Sequence, residues 1–160
     1  MLLSIIVPVF NEERNIGLLI EKLLKLDFSR TSFNSEIIVV NDGSSDGSRK
    51  IIETFNKIKL INQENLGKGR AVQNGIKSAR GDYILIQDGD LEYDPEDILL
   101  MCEEVNKTDK ISVYGSRYLP LYFKIIPKIY NKQNFFSYLA NILFLFLFII
   151  FYGKFITDPL

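Results

Sequence analysis

The sequence predicts an α/β fold: a mostly parallel, Rossmann-like sheet with helices on both faces, followed by an apolar C-terminal helix. Three observations predict it. Apolar runs of strand length alternate with stretches of helical periodicity. The runs are almost wholly apolar, as in strands buried on both faces of a parallel sheet. Polar clusters stand at the carboxyl end of strand after strand, where ligands bind in such sheets.

In chain order, Leu3–Val9 reads as a buried strand whose regular pairing Pro8 ends, and Glu13 to Leu26 as a helix with Ile16, Leu19, Ile20, Leu23 and Leu24 on one face. Glu36–Val40 is the next strand, Ser45–Phe55 the next helix, with Ile51, Ile52 and Phe55 inward, and Ile58–Ile61 a short strand. Gly69–Ala79 is a helix packing Ala71, Val72, Gly75, Ile76 and Ala79 inward. Tyr83–Gln87 is a strand, Pro95–Asn106 a helix opened by proline in its first turn, and Ile111–Tyr114 a further strand.

A chain of 160 residues, 47% hydrophobic and 24% charged, suits a folded domain rather than disorder. Its net charge of −1 gives no footing for nucleic-acid binding. With no histidine, Ser-His-Asp and Cys-His catalysis and His-ligated zinc are excluded, and one cysteine, Cys102, allows no intrachain disulfide. The charge is uneven: residues 111–160 carry five Lys or Arg residues against Asp158 alone. Residues 133–153 are uncharged and, as a helix, about 31 Å long, close to one bilayer core. We therefore divide the chain into an α/β domain, 1–119, and a basic then apolar helical segment, 120–160. That helix either packs on further protein or lies in or across a membrane, with Lys124, Lys128 and Lys132 meeting lipid phosphates.

The polar clusters carry the chemistry. Asp88-Gly89-Asp90 follows the strand Tyr83–Gln87; alternation along an extended chain sends both carboxylates to one side, and Gly89 adds no side chain between them. Two hard oxygen ligands suit Mg²⁺ or Mn²⁺ bridging to a diphosphate, with Glu92 near enough to join; the bland reading is a turn. In Asn41-Asp42-Gly43-Ser44-Ser45-Asp46 the serines are expected to cap the second helix while Asp42 faces ligand. Asn65-Leu66-Gly67-Lys68-Gly69-Arg70 either cradles an anion, with Lys68 adding charge, or is a glycine-rich turn with solvated cations.

Taken together, Ile6-Val7-Pro8-Val9-Phe10-Asn11-Glu12-Glu13, Glu36 through Asp46, and Gly81 through Asp94-Pro95 resemble family 2 glycosyltransferases of the GT-A fold. They look most like the dolichyl-phosphate mannose synthase, or polyprenyl-phosphate glycosyltransferase, branch. The resemblance implies that Pro8, Phe10 and Glu12 contact the nucleotide, and that Asn41 and Asp42 lie near base and ribose, Asn41 replacing the commoner Asp. It implies metal and diphosphate binding by Asp88, Gly89, Asp90 and Glu92, with Asp90 and Arg117 (in Gly115-Ser116-Arg117-Tyr118) as catalytic residues. Where a second arginine often precedes the tail helix, this chain has Lys132 and Gln133. The pattern also continues beyond Thr157-Asp158-Pro159-Leu160, which implies a chain cut short and leaves its own turnover open.

The reaction so implied is metal-dependent, inverting transfer of a sugar from a nucleoside-diphosphate sugar to a polyprenyl phosphate, at the cytoplasmic face of a membrane. An ionised phosphate acceptor needs no strong general base, in keeping with a chain that lacks histidine. Transfer to a saccharide hydroxyl would need a carboxylate base. A non-catalytic nucleotide-sugar-binding module is the other alternative. A nucleotidyltransferase would carry a Gly-rich basic loop after the first strand, where this chain has Asn11-Glu12-Glu13.

Overall fold

The computed structural model describes residues 1–107. The elements run β1 (Leu2–Val9), α1 (Ile16–Leu24), a 3₁₀ turn (Phe28–Arg30), β2 (Asn34–Asp42), α2 (Ser48–Ile52), β3 (Lys59–Gln63), α3 (Lys68–Ser78), β4 (Tyr83–Ile86) and α4 (Asp97–Lys107). The four strands form one parallel sheet in the order β3-β2-β1-β4. The chain builds outward from β1 through β2 to β3, then crosses back to place β4 on the other side of β1. That reversal opens a crevice beyond the carboxyl ends of β1 and β4.

Alternation along the strands sorts the core. Leu3, Ile5, Val7, Val9, Ile37 and Val39 face α1, Ile52 of α2, and Ile98 and Cys102 of α4. Ile6, Ile38 and Val40 face the opposite way, onto Ala71 of α3. Helices thus cover both faces, as the apolar strands predict. At the amino ends of the strands Glu36 ties three segments together. It accepts from the Ser4 hydroxyl at 2.7 Å, the Arg80 N–H at 2.7 Å and the Arg80 guanidinium at 3.0 Å, while Gly81 N–H donates to Ser4 Oγ at 2.9 Å.

Several expectations are corrected. Pro8 does not end β1, which pairs with β2 through Val9. Ile6 carbonyl accepts from Gln87 N–H, so by alternation Pro8 turns its missing N–H toward the same side, past the last β4 partner, Ile86. The second helix is only Ser48–Ile52, because Asn41 to Gly47 are drawn into side-chain bonds instead of helical ones. Pro95 precedes α4 in a turn of i→i−3 bonds. Among the described residues β4 is the outermost strand beside β1; Ile84 and Ile86, on the α3 side, are 45% and 50% exposed, and Ile76 of α3 is 41% exposed rather than inward. The strand at Ile111–Tyr114, Arg117, and the apolar helix with its basic flank lie outside the described residues. Among the described residues no helix is long and apolar enough to cross a membrane.

Candidate nucleotide-binding site

The β1–α1 turn is locked to the β2–α2 loop by reciprocal bonds. Asn11 (φ 56°) accepts on Oδ1 from Ser45 N–H at 2.8 Å, and its own N–H donates to Ser44 Oγ at 3.0 Å. Glu12 N–H donates to the buried Ser48 hydroxyl at 2.8 Å and Glu13 N–H to Asp46 Oδ2 at 3.1 Å. Glu13 Oε2 in turn accepts Gly47 N–H at 2.7 Å. The serines at 44 and 45 therefore hold the neighbouring turn, and the helix-capping expected of them falls to Asp46, which accepts Ser48 N–H at 3.0 Å. Burial would push the Asp46 carboxyl up, but the bonds from Ser48 and Glu13 outweigh it and hold it below the ordinary carboxylate range.

Between this braced turn and the end of β4 lies a cavity of about 180 Å³, lined by Pro8, Val9, Phe10, Glu12, Asp42, Lys68, Asp88, Gly89 and Asp90. It sits at the crevice made by the strand reversal. Lys68 Nζ reaches Asp88 Oδ1 at 2.6 Å, joining the start of α3 to the loop after β4. Glu12 Oε2 is held by Asn15 Nδ2 at 3.0 Å, and the Phe10 ring is half exposed at the rim. A larger cleft, about 340 Å³, lies between the 3₁₀ turn and α4, but five carboxylates against Arg30 line it, an arrangement that repels a nucleotide phosphate.

The sequence-derived residues divide accordingly. Pro8, Phe10, Glu12, Asp42, Lys68, Asp88, Gly89 and Asp90 come together. Asn41 does not line the cavity; it is buried, donating to Asn62 Oδ1 at 2.9 Å and accepting from Ser44 N–H at 3.2 Å. Nor does Glu92, whose N–H donates to Asp90 Oδ1 at 3.0 Å. Asp88-Gly89-Asp90 lies past the end of β4, in a turn closed by Leu91 at φ 63°, not on an extended strand. Among the described residues no three acidic side chains gather into a cation cage. Asp88 and Asp90 as a pair nevertheless fit Mg²⁺ or Mn²⁺, which take one or two carboxylates and complete their shell with substrate phosphate and water.

Sequence reasoning missed two bracing amides, the buried Gln87 and the half-buried Gln63. Gln87 Nε2 donates to the carbonyls of Asp88 at 3.3 Å and Tyr93 at 3.5 Å, bracing the acidic turn from beneath. Gln63 Nε2 donates to Asp42 at 2.6 Å. The signal was present for Gln87, a glutamine directly after an apolar strand, where a buried amide must find partners.

The family model described as glycosyl transferase family 2 matches residues 4–150. A dolichyl-phosphate beta-glucosyltransferase of Trichomonas vaginalis is 34% identical over 128 residues, covering 72% of this chain and 40% of that protein. A dodecaprenyl-phosphate galacturonate synthase of Rhizobium johnstonii is 36% identical over 121 residues, covering 72% of this chain and 36% of that protein. The chain thus spans well under half the length of these relatives. The crystal structure of residues 1–349 of S. aureus TarS in complex with UDP superposes with a TM-score of 0.56 at 27% identity, covering 74% of this chain and 40% of TarS.

Proposed function

The chain belongs to glycosyl transferase family 2, and from that membership we propose that it binds a nucleoside-diphosphate sugar and passes the sugar to a polyprenyl phosphate. The observation that carries the donor half is the cavity itself. Phe10, Asp42, Lys68, Asp88 and Asp90 line it together, with Lys68 against Asp88, at the strand reversal of a parallel sheet. A UDP complex of a structural relative supports the same ligand class. The names of the two sequence relatives, on dolichyl and dodecaprenyl phosphate, support the acceptor class.

In this reading Phe10 offers the base an aromatic surface, with Pro8 and Glu12 beside it, and Gly89 keeps the floor shallow. Lys68 and Arg117 neutralise phosphate oxygens as the sugar–phosphate bond breaks. A divalent cation at Asp88 and Asp90 would supply further positive charge to the leaving diphosphate. The acceptor phosphate attacks the anomeric carbon from the face opposite the leaving group, which inverts it. No proton need be removed. Lys124, Lys128, Lys132 and the apolar residues 133–153 would hold the site at the cytoplasmic membrane face where such an acceptor resides.

Calorimetry tests the donor half: UDP should bind more tightly with Mn²⁺ than without, and Asp90→Ala should weaken the Mn²⁺-dependent binding at least about tenfold. Equal affinity of wild type and Asp90→Ala with Mn²⁺ present would sink the metal assignment. Radiolabelled sugar carried into the lipid phase from candidate donors tests the acceptor. Label found only on water-soluble glycan would transfer the assignment to a saccharide hydroxyl.

A further inference from the structure

We infer that Asp42 is a positioning residue for the diphosphate end of the cavity, acting through Lys68. The inference rests on the reading of the cavity as a nucleoside-diphosphate site. Asp42, the last residue of β2, is 3% exposed. Its Oδ1 accepts from Gln63 Nε2 at 2.6 Å and Leu66 N–H at 2.9 Å, and its Oδ2 accepts from Gly67 N–H at 2.9 Å. Gln63 is itself held, because Asn74 Nδ2 donates to its Oε1 at 2.7 Å and so turns the amide N–H toward Asp42.

A buried carboxylate persists only where directed donors replace its water. Here three neutral donors do so, and they occupy both oxygens. Two are the main-chain N–H groups of the residues that enter α3, where unpaired amides and the helix dipole favour an anion. Asp42 therefore ties the turn Leu66-Gly67 to the end of β2. Gly67, at φ 87°, redirects the chain into Lys68, the first residue of α3. The Lys68 side chain is 64% exposed, so packing does little to fix it; the anchored backbone sets where its ammonium reaches. It reaches Asp88 Oδ1, across the mouth of the cavity. A contact line thus runs from the end of β2 through the β3–α3 turn to the acidic loop after β4.

The test is a double-mutant cycle on the full chain, read as UDP affinity with saturating Mn²⁺. Asp42→Asn keeps the side-chain shape but sets an NH₂ against main-chain N–H donors. It should weaken UDP binding about tenfold, as should Lys68→Gln. If Asp42 works through Lys68, the double variant binds within about twofold of the weaker single variant. Losses that multiply, to about a hundredfold, overturn the proposal, since residues with independent roles add in free energy. A general loss of folding would also persist in the Lys68→Gln background, so the coupling separates positioning from mere destabilisation. Gly67→Ala gives a second arm should Asp42→Asn not fold. A methyl there meets nothing within 4 Å and perturbs the turn through φ alone. Its loss of affinity should vanish once Lys68 is replaced, and a loss that remains refutes the inference. Failure of the wild-type chain to bind UDP would instead overturn the reading of the cavity, and the inference with it.

Discussion

Gly43→Ala should destabilise the protein more than its position in a surface loop suggests. Gly43 has φ 69°, a region that costs an L-residue about 1–2 kcal/mol. A methyl built there would also stand 2.6 Å from Asn65 N, 3.2 Å from the Glu64 carbonyl carbon and 3.3 Å from Asn65 Cα. All three are backbone atoms, so no side chain can swing aside, and the β3–α3 turn itself must move, at about 1–3 kcal/mol. The two terms give a loss of about 2–5 kcal/mol, a large share of the roughly 5–15 kcal/mol that holds a domain folded. Urea denaturation followed by circular dichroism reads it directly. Gly69→Ala is the control: nothing lies within 4 Å of its added methyl, and inside α3 the change should stabilise by up to about 1 kcal/mol. A Gly43→Ala loss below about 1 kcal/mol would refute the close approach of the two loops on which the braced site depends.

Gly89→Ala should be tolerated, because the new methyl meets Glu12 Cγ at 3.4 Å, Pro8 O at 3.5 Å and Val9 Cγ2 at 3.8 Å, all ordinary contacts, and φ there is not positive. A melting temperature unchanged or raised is the expected result. The protein should also lose stability in acid through Glu36. Burial pushes its carboxyl up, but bonds from the Ser4 hydroxyl and from Arg80 outweigh burial and hold it below its ordinary value of 4.5. A folded-state value depressed in this way contributes stability above the ordinary value that is lost as pH falls through the folded one. Urea midpoints taken between about pH 6 and about pH 3 should therefore fall, and Glu36→Gln should flatten that limb.

The sheet was legible in the sequence because its signal is local. Ile5, Ile6 and Val7, or Ile37 to Val40, can only be strands buried on both faces, and polar residues placed directly after them fall at one end of a parallel sheet. The cavity residues followed from that one inference. What the sequence did not disclose is how each polar group spends its bonds. Asn41 and Asp42 are neighbours of the same apparent kind. Yet strand alternation sends them different ways, Asn41 to Asn62 and Ser44, Asp42 to the turn before α3. Ser44 and Ser45 look like helix caps but meet Asn11, 33 and 34 residues away, a pairing that no local window contains. The exposure of Ile84 and Ile86 was hidden for a related reason. An apolar run reads the same whether its faces are fully covered or partly open, and only the packing of the described elements distinguishes the two.

Those long-range bonds explain why a shallow site can still be well ordered. The turns at Glu12, just before Lys68 and at Asp88 are irregular, and left alone each would sample many conformations at about 1–2 kcal/mol of entropy per residue. Each is instead fastened by a buried polar side chain that does not itself reach the cavity or spends its acceptors elsewhere. Ser48 holds Glu12 N–H, Asp42 holds the residues before Lys68, and Gln87 holds the carbonyl of Asp88. Three positions thus each lend one anchor to a neighbouring turn: the last residue of β2 through Asp42, the start of α2 through Ser48, and the residue after β4 through Gln87. Charge at the cavity is therefore placed by the sheet rather than by packing of the charged side chains, and those side chains remain exposed enough to exchange partners. The Lys68–Asp88 pair, both members solvent-accessible, contributes about 1 kcal/mol or less to stability. Its geometry costs little to open, so both the ammonium and the carboxylate can exchange partners at the cavity.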